Sequence, residues 1–165
     1  MRSTTVATDA AGPLQIDVLA SPTLCIAADG DANLAPFTAT AKFTNRASTP
    51  LQLSYMVEPV RSFRAVRVWP EADAGAAVAL GASPGAADSV GAQLRSVAPG
   101  ESLLLSSWTR HHDVIWSEMT STPASKQQRY VVRFELALEY RLDGDAVAVS
   151  KTFDVTFDAV REPSP

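Results

Sequence analysis

The sequence is notable first for what it has little of. It contains a single cysteine, Cys25, so an intramolecular disulfide is excluded and a reducing compartment suits the chain. No apolar stretch has the length of a signal-peptide core or of a membrane span, so we expect a cytoplasmic protein without a membrane partner; a leader removed ahead of this sequence is the alternative. A formal net charge of -4 argues against nucleic acid as a partner, because such binding begins with a clustered positive surface.

Nucleotide-binding signatures are also missing from the sequence. There is no phosphate-binding loop and no dinucleotide-binding fingerprint. No segment carries an apolar stripe with the 3.6-residue period of an amphipathic helix. We therefore expect a non-catalytic, all-β protein that needs no cofactor.

The strongest positive signal is a β-hairpin between residues 130 and 157. Apolar residues recur at every second position in both arms, at Val132, Phe134, Leu136, Leu138, Tyr140, Leu142, Val147, Val149, Phe153, Val155 and Phe157. An Asp-Gly or Gly-Asp pair between the arms favours a two-residue turn, which sets the register. This register places Tyr140 opposite Val147 and Phe134 opposite Phe153. Lys151 interrupts the apolar series, and we interpret it as reaching the rim or marking a bulge.

Shorter predicted strands, most of them with alternating apolar residues, precede this hairpin and are separated by turns rich in proline and glycine. They lie at residues 14–18, 37–43, 51–57, 61–69, 93–97 and 103–105. The spacing predicts an immunoglobulin-like antiparallel β-sandwich of about seven to nine strands, formed by residues 14–158 as a single domain. Residues 1–13 are predicted to be a flexible N-terminal arm, and residues 159–165 a C-terminal tail.

Two turn motifs carry a resemblance to known modules. Phe43, Thr44, Asn45, Arg46, Ala47, Ser48, Thr49 and Pro50 lead into a strand, and Val97, Ala98, Pro99, Gly100, Glu101 and Ser102 follow later. This pattern resembles bacterial immunoglobulin-like modules, in particular the BsuPI-like intracellular proteinase inhibitor family and the non-catalytic N-terminal domain of deuterolysin-type metallopeptidases. The resemblance implies the sandwich fold and makes a protease a candidate partner. The strands flanking 45–50 form either a hairpin or a crossover between sheets.

A candidate partner-binding segment lies between the strand predicted at 103–105 and the hairpin that begins at residue 130. Trp108, Arg110, Trp116 and Met119 are its predicted contact residues, because aromatic and arginine side chains carry much of the energy of protein interfaces. Core packing is the alternative for the tryptophans, and it is favoured most for Trp69. Another protein of unknown identity is the expected partner, and self-association through an edge strand is a further hypothesis.

The same segment contains the one cluster with metal-ligand chemistry, His111, His112 and Asp113. On an extended chain His111 and Asp113 share a face while His112 points to the other, so a metal would need additional ligands from elsewhere. An exposed pair of loop histidines is the simpler interpretation. A small-molecule or metal-binding β-sandwich using these residues is the alternative function.

Overall fold

A computed structural model describes residues 3–21, 23–26, 37–56, 62–76, 78–79, 92–109 and 127–161. The strands are β1 (Thr4–Ala11), β2 (Leu14–Ala20), β3 (Thr23–Ile26), β4 (Phe37–Asn45), β5 (Leu51–Met56), β6 (Phe63–Pro70), β7 (Val78–Ala79), β8 (Ala92–Val97), β9 (Ser102–Thr109), β10 (Gln127–Leu142) and β11 (Asp145–Arg161). A short 3₁₀ turn covers Ala74–Ala76. Within these ranges no helix is long and apolar enough to span a bilayer.

The predicted hairpin is confirmed in its pairing. Strands β10 and β11 are antiparallel, Tyr140 lies opposite Val147 and Phe134 lies opposite Phe153, with no register shift along the ladder. The turn between them has positive φ at Asp143 (54°) and Gly144 (87°), as a primed two-residue turn requires. Every second residue of both arms therefore faces the same side.

The hairpin forms the centre of one of two sheets. The seven-stranded sheet contains the order β3-β11-β10-β5-β8. Strand β10 is long enough to pair with both β5 and β6, at different residues, and β7 pairs with β6. The four-stranded sheet runs β1-β2-β4-β9. Buried side chains from both sheets, such as Ile16 and Phe43 on one and Phe63 and Phe134 on the other, form a shared core. The rings of Phe63 and Phe134 stack with centroids 5.0 Å apart.

This arrangement is the predicted immunoglobulin-like β-sandwich. Eleven strands occur in the described ranges, more than the seven to nine expected, because β1, β3 and β7 add short or weakly patterned edges. The turn at 45–50 is a crossover, since β4 belongs to the four-stranded sheet and β5 to the seven-stranded one. The break near Ser21 has the same effect, because β2 and β3 lie in different sheets. Strand β3 runs parallel to β11, whereas the other pairings described are antiparallel.

The two ends of the chain differ from the expectation of loose segments. Thr4–Ala11 forms strand β1 along the edge of β2, so the prediction of a flexible arm over residues 1–13 is wrong for this stretch. Gly12 provides the positive φ of 58° that reverses the chain, and β2 provides the backbone hydrogen-bonding groups. At the other end β11 continues to Arg161 because β3 pairs with its last residues, so residues 159–161 are strand and not tail.

Candidate interaction surface

A buried asparagine connects the two turn motifs, at 45–50 and 97–102, through hydrogen bonds. The Asn45 side chain has no solvent exposure, and its Nδ2 donates to the carbonyl oxygens of Thr49 and Val97, each at 2.9 Å. Its Oδ1 accepts from the Ala47 amide at 2.8 Å. The Gly100 amide donates to the Asn45 carbonyl at 2.7 Å, with Gly100 at a φ of 77°. These bonds fix the crossover and the turn that leads into β9 as one unit.

The outer face of the seven-stranded sheet carries an aromatic and ionic patch. Trp69 on β6 lies directly opposite Val131 on β10, is half-buried, and is not a member of the core. The favoured expectation of core packing for Trp69 is therefore wrong: its parity along β6 points it outward. The Arg133 guanidinium lies 5.2 Å from the centroid of the Trp69 ring and binds both carboxylate oxygens of Asp154, at 2.8 and 3.1 Å.

The remaining charges on this face are largely paired with each other. Hydrogen bonding and proximity to Asp158, and then the charge of Glu71, raise the pKa of Arg129. The hydrogen bond and charge of Asp154 likewise raise the pKa of Arg133. Arg64 adds an exposed pair with Glu135 at 3.5 Å. Pairs of this kind stabilise the fold only slightly, so this face is a solvated ionic ladder.

One ion pair connects the two sheets across an open side of the sandwich. Lys151, the residue that interrupts the apolar series of β11, lies opposite Leu136 in an unbroken ladder. Its Nζ lies 3.4 Å from Oδ2 of Asp9 on β1. Lys151 therefore reaches the rim, which was one of the two expectations for it. A hydrogen bond from the Ala10 amide, together with Lys151, lowers the pKa of Asp9.

Among the side chains that the structure describes, two large apolar ones are strongly exposed, and both lie on edge strands. Leu94 on β8 is 71% exposed and Leu104 on β9 is 59% exposed. Leu104 lies opposite Lys42 on the outer face of the four-stranded sheet, because its neighbours Leu103 and Leu105 have the opposite parity and lie opposite core residues of β4. An apolar side chain in this position contributes nothing to the core and is available to a partner.

The structure places one residue of the predicted contact segment on the same strand as this leucine. Trp108 belongs to β9, where it lies opposite Thr38 and has the same parity along the strand as Leu104. Arg110, Trp116 and Met119 lie outside the described residues, and so do His111, His112 and Asp113. Among the described residues no group of three or more His, Cys, Asp or Glu side chains has the geometry to hold a metal ion. The metal hypothesis for 111–113 thus stays a prediction.

Reasoning from the sequence missed the exposed leucines, although a signal for one of them is present. Three consecutive leucines on a strand, 103–105, require the middle one to face away from the other two. No comparable signal marks Leu94, which is exposed because it lies opposite Ser54, on the face away from the core residues Leu53 and Val97. The partner Asp9 for Lys151 was missed because its segment was expected to be loose.

The fold and this surface define a class of protein: an immunoglobulin-like β-sandwich with exposed apolar side chains on two edge strands. No family model matches the sequence, and no curated protein is significantly similar to it. Among solved structures the chain is similar to AggA, the major subunit of aggregative adherence fimbriae type I from Escherichia coli. The two share 11% identity with a TM-score of 0.41, over 98% of this chain and 99% of that one. This similarity assigns neither a family nor a function to the chain.

Proposed function

We propose that the chain is a non-catalytic protein-interaction module that binds its partner through the outer face of β9 and through its outer edge, which has no neighbour among the described strands. The observation that carries this proposal is the 59% exposure of Leu104 on an edge strand that also contains Trp108. Trp108 has the same parity along β9 as Leu104, with Ser106 between them, and exposed leucine and tryptophan residues are typical apolar anchors of protein interfaces.

The architecture supports this surface as a rigid one. Strand β9 pairs with β4 along its whole length, and the core side chains of β4, Ala39, Ala41 and Phe43, are fully buried. The hydrogen bonds of Asn45 hold the turn that precedes β9. A contact surface on a preorganised strand loses little conformational entropy when it binds.

The resemblance of the two turn motifs to the BsuPI-like inhibitor family makes a protease a candidate partner. Interaction domains commonly present such contacts from one end or edge of a rigid scaffold. We therefore include protease inhibition in the proposal as its more specific form, with the cytoplasm as the expected location.

A matched pair of leucine variants tests the proposal. The chain is immobilised and exposed to a cell extract, in parallel with Leu104→Lys and with Leu94→Lys as control. Both substitutions replace an exposed leucine on an edge strand by a charge, so both should fold normally. We expect a partner that the parent chain and the Leu94→Lys variant retain and that Leu104→Lys loses, together with inhibition if that partner is a protease. Equal retention by all three chains, or catalytic turnover by the purified chain without any retained protein, would contradict the proposal.

A further inference from the structure

The edge strands of this sandwich differ in how they are protected against pairing with another chain. Proteins block exposed edges with bulges, with charges that point inward, or by keeping the strand very short. Strand β1 has a register shift between Thr5 and Ala7. Strand β8 carries Arg95 at a position opposite the core residue Leu53, which points a charge toward the interior side. Strands β3 and β7 have four and two residues.

Strand β9 has none of these protections. Its eight residues, Ser102–Thr109, contain no charged residue and no proline. Its ladder with β4 has no register shift. Among the described strands β9 has a neighbour on one side only, and it ends its sheet. A long, regular and uncharged edge is a template for strand addition.

From this we infer that β9 pairs with β9 of a second copy of the chain, antiparallel about a two-fold axis at Ser106. The two four-stranded sheets then join into one continuous sheet. This inference rests on the proposed function, since it uses the same surface, and it names the partner and the mode of contact.

Two conditions determine the register between the two β9 strands: the parity of the residues along β9, and which side chains then lie opposite each other. A two-fold axis perpendicular to the sheet keeps the outer faces of both copies on one side, and it must then pass through a residue position. With the axis at Ser106, Leu104 of each copy lies opposite Trp108 of the other, which forms two aliphatic–aromatic cross-strand pairs. An axis one position earlier, at Leu105, would instead place Leu104 opposite a serine. Cross-strand pairs of an aromatic and an aliphatic residue stabilise a sheet, whereas a leucine opposite a serine gains little.

Charge does not oppose this pairing, because no charge lies on β9. The same pairing through β8 would bring two copies of Arg95 close together. Like charges close to each other across a ladder destabilise the pair, so β9 is the favoured edge.

Molecular mass in solution is the first test. Sedimentation equilibrium of the full chain over a wide concentration range should show twice the 17.5 kDa mass of one chain, with a concentration-dependent equilibrium. Leu104→Lys removes both leucine–tryptophan pairs and should weaken the association about tenfold or more. Leu94→Lys, the matched control, should leave it unchanged. A mass of one chain at every concentration, or equal weakening by both variants, would overturn the inference.

Cross-linking tests the register and does not depend on the loss of an interaction. In a Cys25→Ser background, Ser106→Cys places two cysteines on the axis, where paired Cα atoms lie about 4.5–5.5 Å apart, within the range of a disulfide. We expect rapid oxidation to a disulfide-linked dimer. Ser102→Cys, the control, separates the two cysteines by about 27 Å, so no dimer should form. Equal cross-linking at both positions would overturn the register.

The two proposals fail in different ways. A chain that stays monomeric but still captures a different protein in a Leu104-dependent manner keeps the proposed function and removes the inference of self-pairing. A dimer that requires Leu104 supports both.

Discussion

Replacing Asn45 tests whether one side chain holds the crossover and the turn before β9 together. Asn45→Ala removes three hydrogen bonds, two donated to the carbonyl oxygens of Thr49 and Val97 and one accepted from the Ala47 amide. The backbone bonds around it, such as the one between the Gly100 amide and the Asn45 carbonyl, remain. The variant should therefore fold with the same topology but with lower stability.

The magnitude follows from the bonds lost. Each contributes about 0.5–1.5 kcal/mol net, and the buried carbonyl of Val97 is left without its side-chain donor. We expect the free energy of unfolding to fall by about 2–4 kcal/mol. This is a large share of the roughly 5–15 kcal/mol that stabilises a typical domain.

Urea unfolding followed by tryptophan fluorescence measures this loss, and two further variants sharpen it. Ser48→Ala is the matched control, since Ser48 is exposed in the same turn and should cost less than about 0.5 kcal/mol. Asn45→Asp keeps the size but replaces the donor with oxygens that face two carbonyls. Burial raises the pKa of the introduced carboxyl above its unfolded value, so the native state binds the proton more tightly. The loss from Asn45→Asp should be largest near neutral pH and shrink as the pH falls. Equal stability of Asn45→Ala and the control would refute the reasoning.

Three more predictions concern the core, a turn and the rim. Phe134→Ala should reduce stability by about 3–5 kcal/mol in urea unfolding, because the ring is fully buried and stacked, whereas Val147→Ala, 38% exposed near the hairpin turn, should cost under about 1 kcal/mol. Gly12→Ala should destabilise through its positive φ and through a Cβ placed 2.8 Å from the Tyr140 hydroxyl oxygen, and Tyr140→Phe should relieve part of the loss in a double-mutant cycle. Asp9→Asn should lower stability slightly near neutral pH. The lowered pKa of Asp9 means that its contribution is full above the unfolded value and disappears as the pH falls from about 4 through the folded one, so parent and variant should converge in acid.

Each of these has an outcome that would contradict it. Equal losses for Phe134→Ala and Val147→Ala would mean that the buried face of the hairpin is wrongly assigned. If the losses of stability caused by Gly12→Ala and Tyr140→Phe were simply additive, the close approach of a Cβ at position 12 to the Tyr140 hydroxyl would be excluded as the cause of the loss. A stability difference between Asp9→Asn and the parent that persists in strong acid would exclude the carboxylate as its source.

The hairpin could be predicted in detail because three local signals agree. The period of two, the Asp143-Gly144 turn and the requirement for one dry face leave a single register, with Phe134 opposite Phe153. For Lys151 the same parity left two interpretations, a position at the rim or a bulge, and the unbroken ladder and the ion pair with Asp9 decide for the rim. The fold class followed from the same alternation in the shorter strands.

Other features depend on tertiary contacts that leave little trace in the sequence. Strand β1 has only weak alternation because it lies at an edge, where exposure on both faces is tolerated. The crossover at Asn45 depends on hydrogen bonds to Val97, more than fifty residues away. Trp69 lies on the outer face because Val66 on β6 falls at a register shift against β10, which changes the parity of the residues that follow. Among the described strands β9 ends its sheet, and this position follows from strand order, which local patterns do not specify.

The proposed interaction depends most directly on β9 being an open edge. Amide hydrogen exchange of the dilute chain, followed by NMR, measures this at each residue from Ser102 to Thr109. We predict alternating protection, with slow exchange where the amide points to β4 and fast exchange where it points away, and protection of the fast set when the chain associates. Slow exchange of every amide of β9 in the dilute chain would show that the edge is already covered, and would contradict the account.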